Sequence, residues 1–193
     1  MDIIEARREI LLDVRARLAN ELLNVKSGYY VFGIIPKEIC DIELQPNIDV
    51  LEKNCSVCAK GALFLSTVRK FNDYLLPLDD IETDEMIKHK DYLYVDTINK
   101  PLFRYFYRRE LALIECAFEG SLIDDNEFDD ESDEYDSYED IPDVKDALAF
   151  FRYYENQTDS EILYEIVTNM LENNTYFKPA LIKKNDINEP IGD

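Results

Sequence analysis

Apolar residues recur at helical spacing over most of the chain. Residues 3–24 carry Ile4, Leu11, Leu12, Leu18, Leu22 and Leu23 near a 3.6-residue period, with Glu5, Arg7, Arg8, Glu9, Asp13, Arg15 and Arg17 mainly between them. This pattern predicts an amphipathic helix that Ser27-Gly28 stops. The run Tyr29-Tyr30-Val31-Phe32-Gly33-Ile34-Ile35 is aromatic and β-branched, and reads as a short strand or a buried extended segment with no partner in view. Residues 47–74 read as a helix in two pieces, interrupted near Asn54. Ala59, Ala62, Leu63, Phe64, Leu65 and Val68 make its second piece the most apolar stretch and the expected central helix. Residues 75–80 read as a connector, 83–90 as a short exposed helix capped by Thr83, and 92–95 as a second strand-like run. Helical spacing returns over 102–119, through Leu111, Ile114 and Phe118, and over 144–154. Thr158-Asp159-Ser160-Glu161 is a capping-box pattern that opens a last helix, and Asn173-Asn174 closes it.

These elements predict a mainly α fold: a compact helical bundle of five to seven helices with at most a minor β element from 29–35 and 92–95. Residues 1–182 are expected to form a single domain, 120–142 a mobile acidic loop within it, and 183–193 a loose tail. The 193 residues, 46% hydrophobic and 12% aromatic, supply enough apolar side chain for one core. Five Gly and seven Pro are too few for the many tight turns of an all-β protein.

Charge changes the picture more than composition does. There are 42 acidic and 21 basic residues, a net charge of −21. Such a field repels nucleic acid and anionic lipid and attracts basic surfaces, so the expected partner is a protein with a basic surface, with no direct nucleic-acid or membrane contact. Twelve of the acids fall within residues 124–143, where no basic residue occurs, so one segment holds more than half of the net charge. Like charges this dense predict a solvated, self-repelling stretch. Its candidate partner-binding residues are Asp124, Asp125, Glu127, Phe128, Asp129, Asp130, Glu131, Asp133, Glu134, Tyr135, Asp136, Tyr138, Glu139 and Asp140. Acidic and aromatic residues interleaved in this way suit segments that order on a basic partner. A specific calcium loop is not expected, because Phe128 breaks the ligand pattern that Asp124 and Asn126 begin and no Gly follows. The compact basic and aromatic cluster Arg104, Tyr105, Tyr107, Arg108 and Arg109 is expected to pair with this segment, within the chain or between subunits.

The cysteine motif Cys55-Ser56-Val57-Cys58-Ala59-Lys60-Gly61-Ala62 offers the alternative chemistry, with Cys55 and Cys58 as candidate reactive thiols. Zinc would need two more ligands, and only the isolated Cys40, His89 and Cys116 could help. A redox dithiol would need a βαβ setting that the pattern lacks. A nucleophilic Cys58 at a helix N-terminus would have its thiolate favoured by the helix dipole, and would depend on His89, the only histidine. The favoured explanation is packing: Cys, Ala and Gly are small and let a central helix approach its neighbours. No cofactor, resident metal or catalytic residue is expected. The chain carries no P-loop, Rossmann fingerprint, G-x-S-x-G elbow or H-E-x-x-H helix.

Three stretches also occur in a familiar order: Cys55–Ser66, Glu110–Glu119 and Met170–Pro179. Together they resemble a family of uncharacterised small proteins of bacteriophages and phage-like bacterial loci. The resemblance covers about a third of the chain and brings no transferable chemistry; the acidic insertion lies outside it. Taken with the charge and the missing catalytic constellation, it implies an acidic protein-interaction module of a mobile genetic element. With no signal-peptide pattern and no apolar run of about 18 residues, the expected place is the cytoplasm of a bacterial host. The expected role is inhibition of a host protein, of a defence system or another nucleic-acid-binding kind, by occupying its basic surface. The alternatives are a small cysteine-dependent enzyme or metal-binding protein centred on Cys55 and Cys58, and a small-molecule-binding protein or structural virion component. Homo-oligomers are compatible with all of them.

Overall fold

The computed structural model describes residues 1–28, 30–33, 48–71, 95–121 and 141–179. In chain order the elements are α1 (Ile3–Ala19), β1 (Asn24–Val25), β2 (Val31–Gly33), α2 (Ile48–Asn54), β3 (Cys55–Val57), α3 (Ala59–Phe71), α4 (Val95–Leu102), α5 (Arg108–Glu119), α6 (Pro142–Tyr154) and α7 (Asp159–Glu172). Among the described residues there are thus six helices of eight residues or more, one of seven and a three-stranded sheet. The fold is mainly α, as the periodicity predicts.

The apolar stretch of α3 is the centre of the core, and every residue from Ala59 to Val68 is buried. α1 packs on α3 and α7, and α5 packs on α3, α6 and α7. On α1, Ala6, Arg7, Ile10, Leu11 and Val14 form the buried stripe. Each large apolar side chain enclosed in this core contributes about 1.5–3 kcal/mol relative to exposure. Polar residues also bind the helices together. Arg17 of α1 and Arg69 of α3 both reach Glu52 of α2 and Asp13 of α1. Burial pushes the Glu52 carboxyl above its ordinary value, against the pull of Arg69 and Arg17.

Several boundaries differ from the sequence pattern. The first helix ends at Ala19 rather than continuing to residue 24. Leu22 N–H donates to Arg17 and Glu21 N–H to Leu18, closing a Schellman turn with Glu21 in the left-handed region at φ 54°. The chain thereby turns out of the helix eight residues before Ser27 and enters β1. The strand expected in 29–35 is present as Val31–Gly33, and its partner among the described residues is β3. β3, inside the stretch read as helix, lies between the other two, antiparallel to β2 and parallel to β1. Val95 opens a helix instead of closing a strand, and residues 92–94 lie outside the described residues. The helix expected over 102–119 is two: α4 closes at Leu102, Phe103–Tyr107 turns the chain, and α5 starts at Arg108. The expectations for 75–80, 83–90 and 183–193 fall outside the described residues.

The capping box stands as the sequence predicts: Glu161 N–H donates to the Thr158 hydroxyl, and Thr158 N–H donates to the Glu161 carboxylate. α7 ends at Asn173-Asn174, again in a Schellman turn, with Thr175 N–H donating to the Met170 carbonyl at 2.7 Å. Asn174 and the β-branched Thr175 both take left-handed backbone, φ 57° and 73°. Such conformations cost on the order of 1–3 kcal/mol each and persist only where the surroundings hold them.

Candidate functional site

The cysteine motif sits at the junction of the sheet with the central helix. Alternation along β3 turns Cys55 and Val57 into the core, while Ser56 faces the other way and accepts from the Asn24 side-chain amide at 2.7 Å. Cys58 follows the strand and begins the turn into α3, with its carbonyl accepting from Ala62 N–H at 2.9 Å. The N–H groups of Gly61 and Lys60 point at its sulfur. One residue type alone fits position 61. A Cβ there would lie 1.7 Å from the Tyr30 carbonyl oxygen, so the sheet can press on the helix only where the side chain is hydrogen.

Lys60 is fully buried, and its ammonium forms an ion pair with Glu115 of α5, itself almost entirely enclosed. The Tyr30 ring lies 5.7 Å from the ammonium, adding a cation–π contact. This pair couples the first stretch of the resemblance to the second. A second buried pair couples the second stretch to the third. Arg7 of α1 binds Glu110 at the start of α5 and donates to the Thr175 carbonyl, and Glu110 accepts from Phe177 N–H at 3.0 Å. The Arg7 guanidinium lies between the rings of Phe106 and Tyr176, at 4.7 and 4.4 Å. All three familiar stretches therefore meet in one core, through charges that the sequence pattern alone did not pair. The available signal was a single charge of each sign, Lys60 and Glu115, set among apolar neighbours in two separate helices.

The thiols are not set up as nucleophiles. Burial pushes the Cys55 thiol up to about 11. Cys58 is raised further, first by burial and then by the carboxylates of Glu115 and Glu119, against the smaller opposing effect of the Gly61 and Lys60 N–H groups. The helix dipole expected to favour a Cys58 thiolate is thus outweighed by desolvation and like charge. Cys55, Cys58 and Cys116 are all buried free thiols. β3 runs into α3 at the motif, but among the described residues no strand follows α3 to complete a βαβ unit, and both thiols are held protonated. Among the described residues no group of three or more His, Cys, Asp or Glu side chains is arranged to hold a metal ion. Cys40 and His89 lie outside the described residues.

The acidic candidates Asp124 to Asp140 also lie outside the described residues, but both of their anchor points are described. Gly120 caps α5 in left-handed backbone at φ 72°, and a Cβ there would lie 2.5 Å from the Phe151 ring. At the other end, Ile141 is buried and Asp143 pairs with Arg109 at 2.9 Å. Arg109 and Asp143 each open their helix, whereas Gly120 and Phe151 lie at or near the helix ends, so α5 and α6 run parallel. Ser121 and Ile141 consequently stand at opposite ends of the helix pair, about 18 Å apart by the rise of twelve helical residues. Within the basic and aromatic cluster, Arg109 makes the expected contact with the acidic stretch at its last acid. Arg108 stacks over Phe103 at 4.7 Å, Tyr105 stacks on Phe71 at 5.0 Å, and Tyr107 is 66% exposed. No described helix is long and apolar enough to cross a membrane.

No protein-family model, curated protein or solved structure matches this chain.

Proposed function

We propose that this chain is an acidic protein-interaction module of a mobile genetic element, and that it inhibits a host protein by occupying a basic, nucleic-acid-binding surface with residues 124–140. The observation that carries this is the concentration of charge: eleven acids and no base between Asp124 and Asp140, with Phe128, Tyr135 and Tyr138 among them. The helical core supports it by engaging cations of its own internally. Arg7, Arg17, Lys60 and Arg69 all meet carboxylates of the folded elements, so these cations are not at hand to neutralise the acidic stretch. The partner's basic surface would supply that neutralisation, with carboxylates replacing phosphates and the aromatic rings adding apolar contact. A cysteine-centred activity draws no support from two buried thiols, one of them, Cys58, beside carboxylates.

The parallel course of α5 and α6 dictates the form of the test. Deleting the connection would leave helix ends about 18 Å apart with nothing to join them, so its charge is removed and its length kept. With Asp and Glu changed to Asn and Gln throughout 124–140, the net charge of −21 becomes −10. Tagged full-length wild type and this variant are compared as baits in bacterial lysate at low and moderate salt. A basic partner is expected on the wild type, weakened by salt and lost from the variant. Equal capture by both chains would refute the assignment to 124–140, and an empty wild-type bait would refute the interaction function itself.

A further inference from the structure

Thr175–Pro179 crosses α1, α5 and α7 without forming a helix or strand of the fold, yet side chains of all three hold its main chain. Arg7 donates to the Thr175 carbonyl, and Glu110 accepts from Phe177 N–H. The Asn169 amide accepts from Lys178 N–H at 2.9 Å and donates to the Lys178 carbonyl at 3.0 Å. Two aromatic side chains fill slots beside these anchors. Tyr176 lies against the Arg7 guanidinium, and Phe177 stands edge-on to Phe150 with ring centroids 5.5 Å apart. Main-chain anchors with side-chain slots are what a receptor groove offers an extended peptide.

We propose that this groove also accepts the Thr175–Pro179 arm of a second copy of the chain, giving an arm-exchanged dimer. The hinge supplies the reason. Asn174 and Thr175 are consecutive non-glycine residues in left-handed backbone, and the arm folds back on its own groove only through them. Opening at Asn173-Asn174 releases both to ordinary backbone and gives up the turn bonds from Thr175 N–H to Met170 and from Tyr176 N–H to Asn173. The contacts of the arm with Arg7, Glu110, Asn169 and Phe150 are remade in the other copy. The closed monomer and the exchanged dimer then differ in hinge strain, in these turn bonds and in the freedom lost on association, so concentration sets the balance. An unfilled groove is the least favourable state, because Arg7 and Glu110 are buried and would lose main-chain partners.

The test is sedimentation velocity on the full chain from micromolar to millimolar concentration, for wild type, Thr175→Gly and Asn174→Pro. Wild type is expected to pass from monomer to dimer over this range. Thr175→Gly removes hinge strain together with a hydroxyl that has no hydrogen-bond partner among the described residues, and should weaken the dimer on the order of tenfold. Proline cannot take the positive φ of position 174, so Asn174→Pro forces the hinge open and should strengthen the dimer by a similar factor. A wild type that stays monomeric throughout overturns the proposal. So does a dimer whose strength Thr175→Gly leaves unchanged, because its contact then lies elsewhere. Should Asn174→Pro lose its helical circular dichroism, the comparison of wild type with Thr175→Gly decides alone.

Discussion

Lys60 and Glu115 show what a charge does inside this core. Each is tolerable only because the other is there, so Lys60→Met alone strands a buried carboxylate and should cost about 3–5 kcal/mol in urea unfolding. Lys60→Met combined with Glu115→Leu should recover most of that loss; equal stability of the single and double variants would show that the pair is not coupled. The thiols lead to a pH prediction. The Cys55 thiol rises from its ordinary 9.0 to about 11 in the folded chain. The folded chain keeps this proton where the unfolded chain has released it, so the contribution is full below pH 9 and lost as pH climbs through 11. Urea midpoints should fall over that window, and less steeply in Cys55→Ala. By the same reasoning iodoacetamide at neutral pH should label Cys55 and Cys58 only after denaturation, read by peptide mass. At this scale the sequence reading favoured packing as the reason for the small Cys, Ala and Gly residues of the motif, and it passed over Lys60 in their midst. The partner of Lys60 was hidden, because Glu115 is fifty-five positions away and no local pattern joins them.

Elements were legible where their signals are local. The capping box of α7 could be read from four residues, and Thr158→Ala should cost about 1 kcal/mol, visible as a lower urea midpoint. The end of α1 could not be read, since Schellman turns usually carry Gly in the left-handed position and this one carries Glu21. The break at Phe103–Tyr107 was masked for a related reason: Phe106 is buried within the turn, so the apolar rhythm continues across it. The sheet was half legible. β2 announced itself by its aromatic and β-branched residues, whereas β3 is a three-residue strand followed closely by a strong helix pattern. Among the described glycines, the contact of Gly61 in α3 with Tyr30, the residue before β2, is the most demanding for shape. Gly61→Ala must push the Tyr30 carbonyl away and should destabilise by about 1–3 kcal/mol or more, measured by thermal melting.

For the whole molecule, the mainly α class followed from periodicity, and the charge imbalance from a simple count. Neither could show that α5 and α6 run parallel, which depends on the two ends of the helix pair being fixed by Arg109–Asp143 and by Gly120 against Phe151. Arg109 and Asp143 are themselves substantially exposed, so Asp143→Asn should change stability by no more than about 1 kcal/mol. A larger effect in thermal melting would mean that this pair does more than mark the helix direction. The candidate contact stretch was legible as charge, while its attachment to a pair of parallel helices was not. The strand order has a consequence for the growing chain. β3 comes last of the three strands and lies in the middle, so the partner that β1 and β2 share among the described residues is absent until residue 57 has been made. A nascent chain halted before Cys55 therefore leaves the ribosome with Leu23, Val25 and Val31 uncovered. Such a product is a substrate for chaperones and proteases, and the sheet closes only once its own middle strand has arrived.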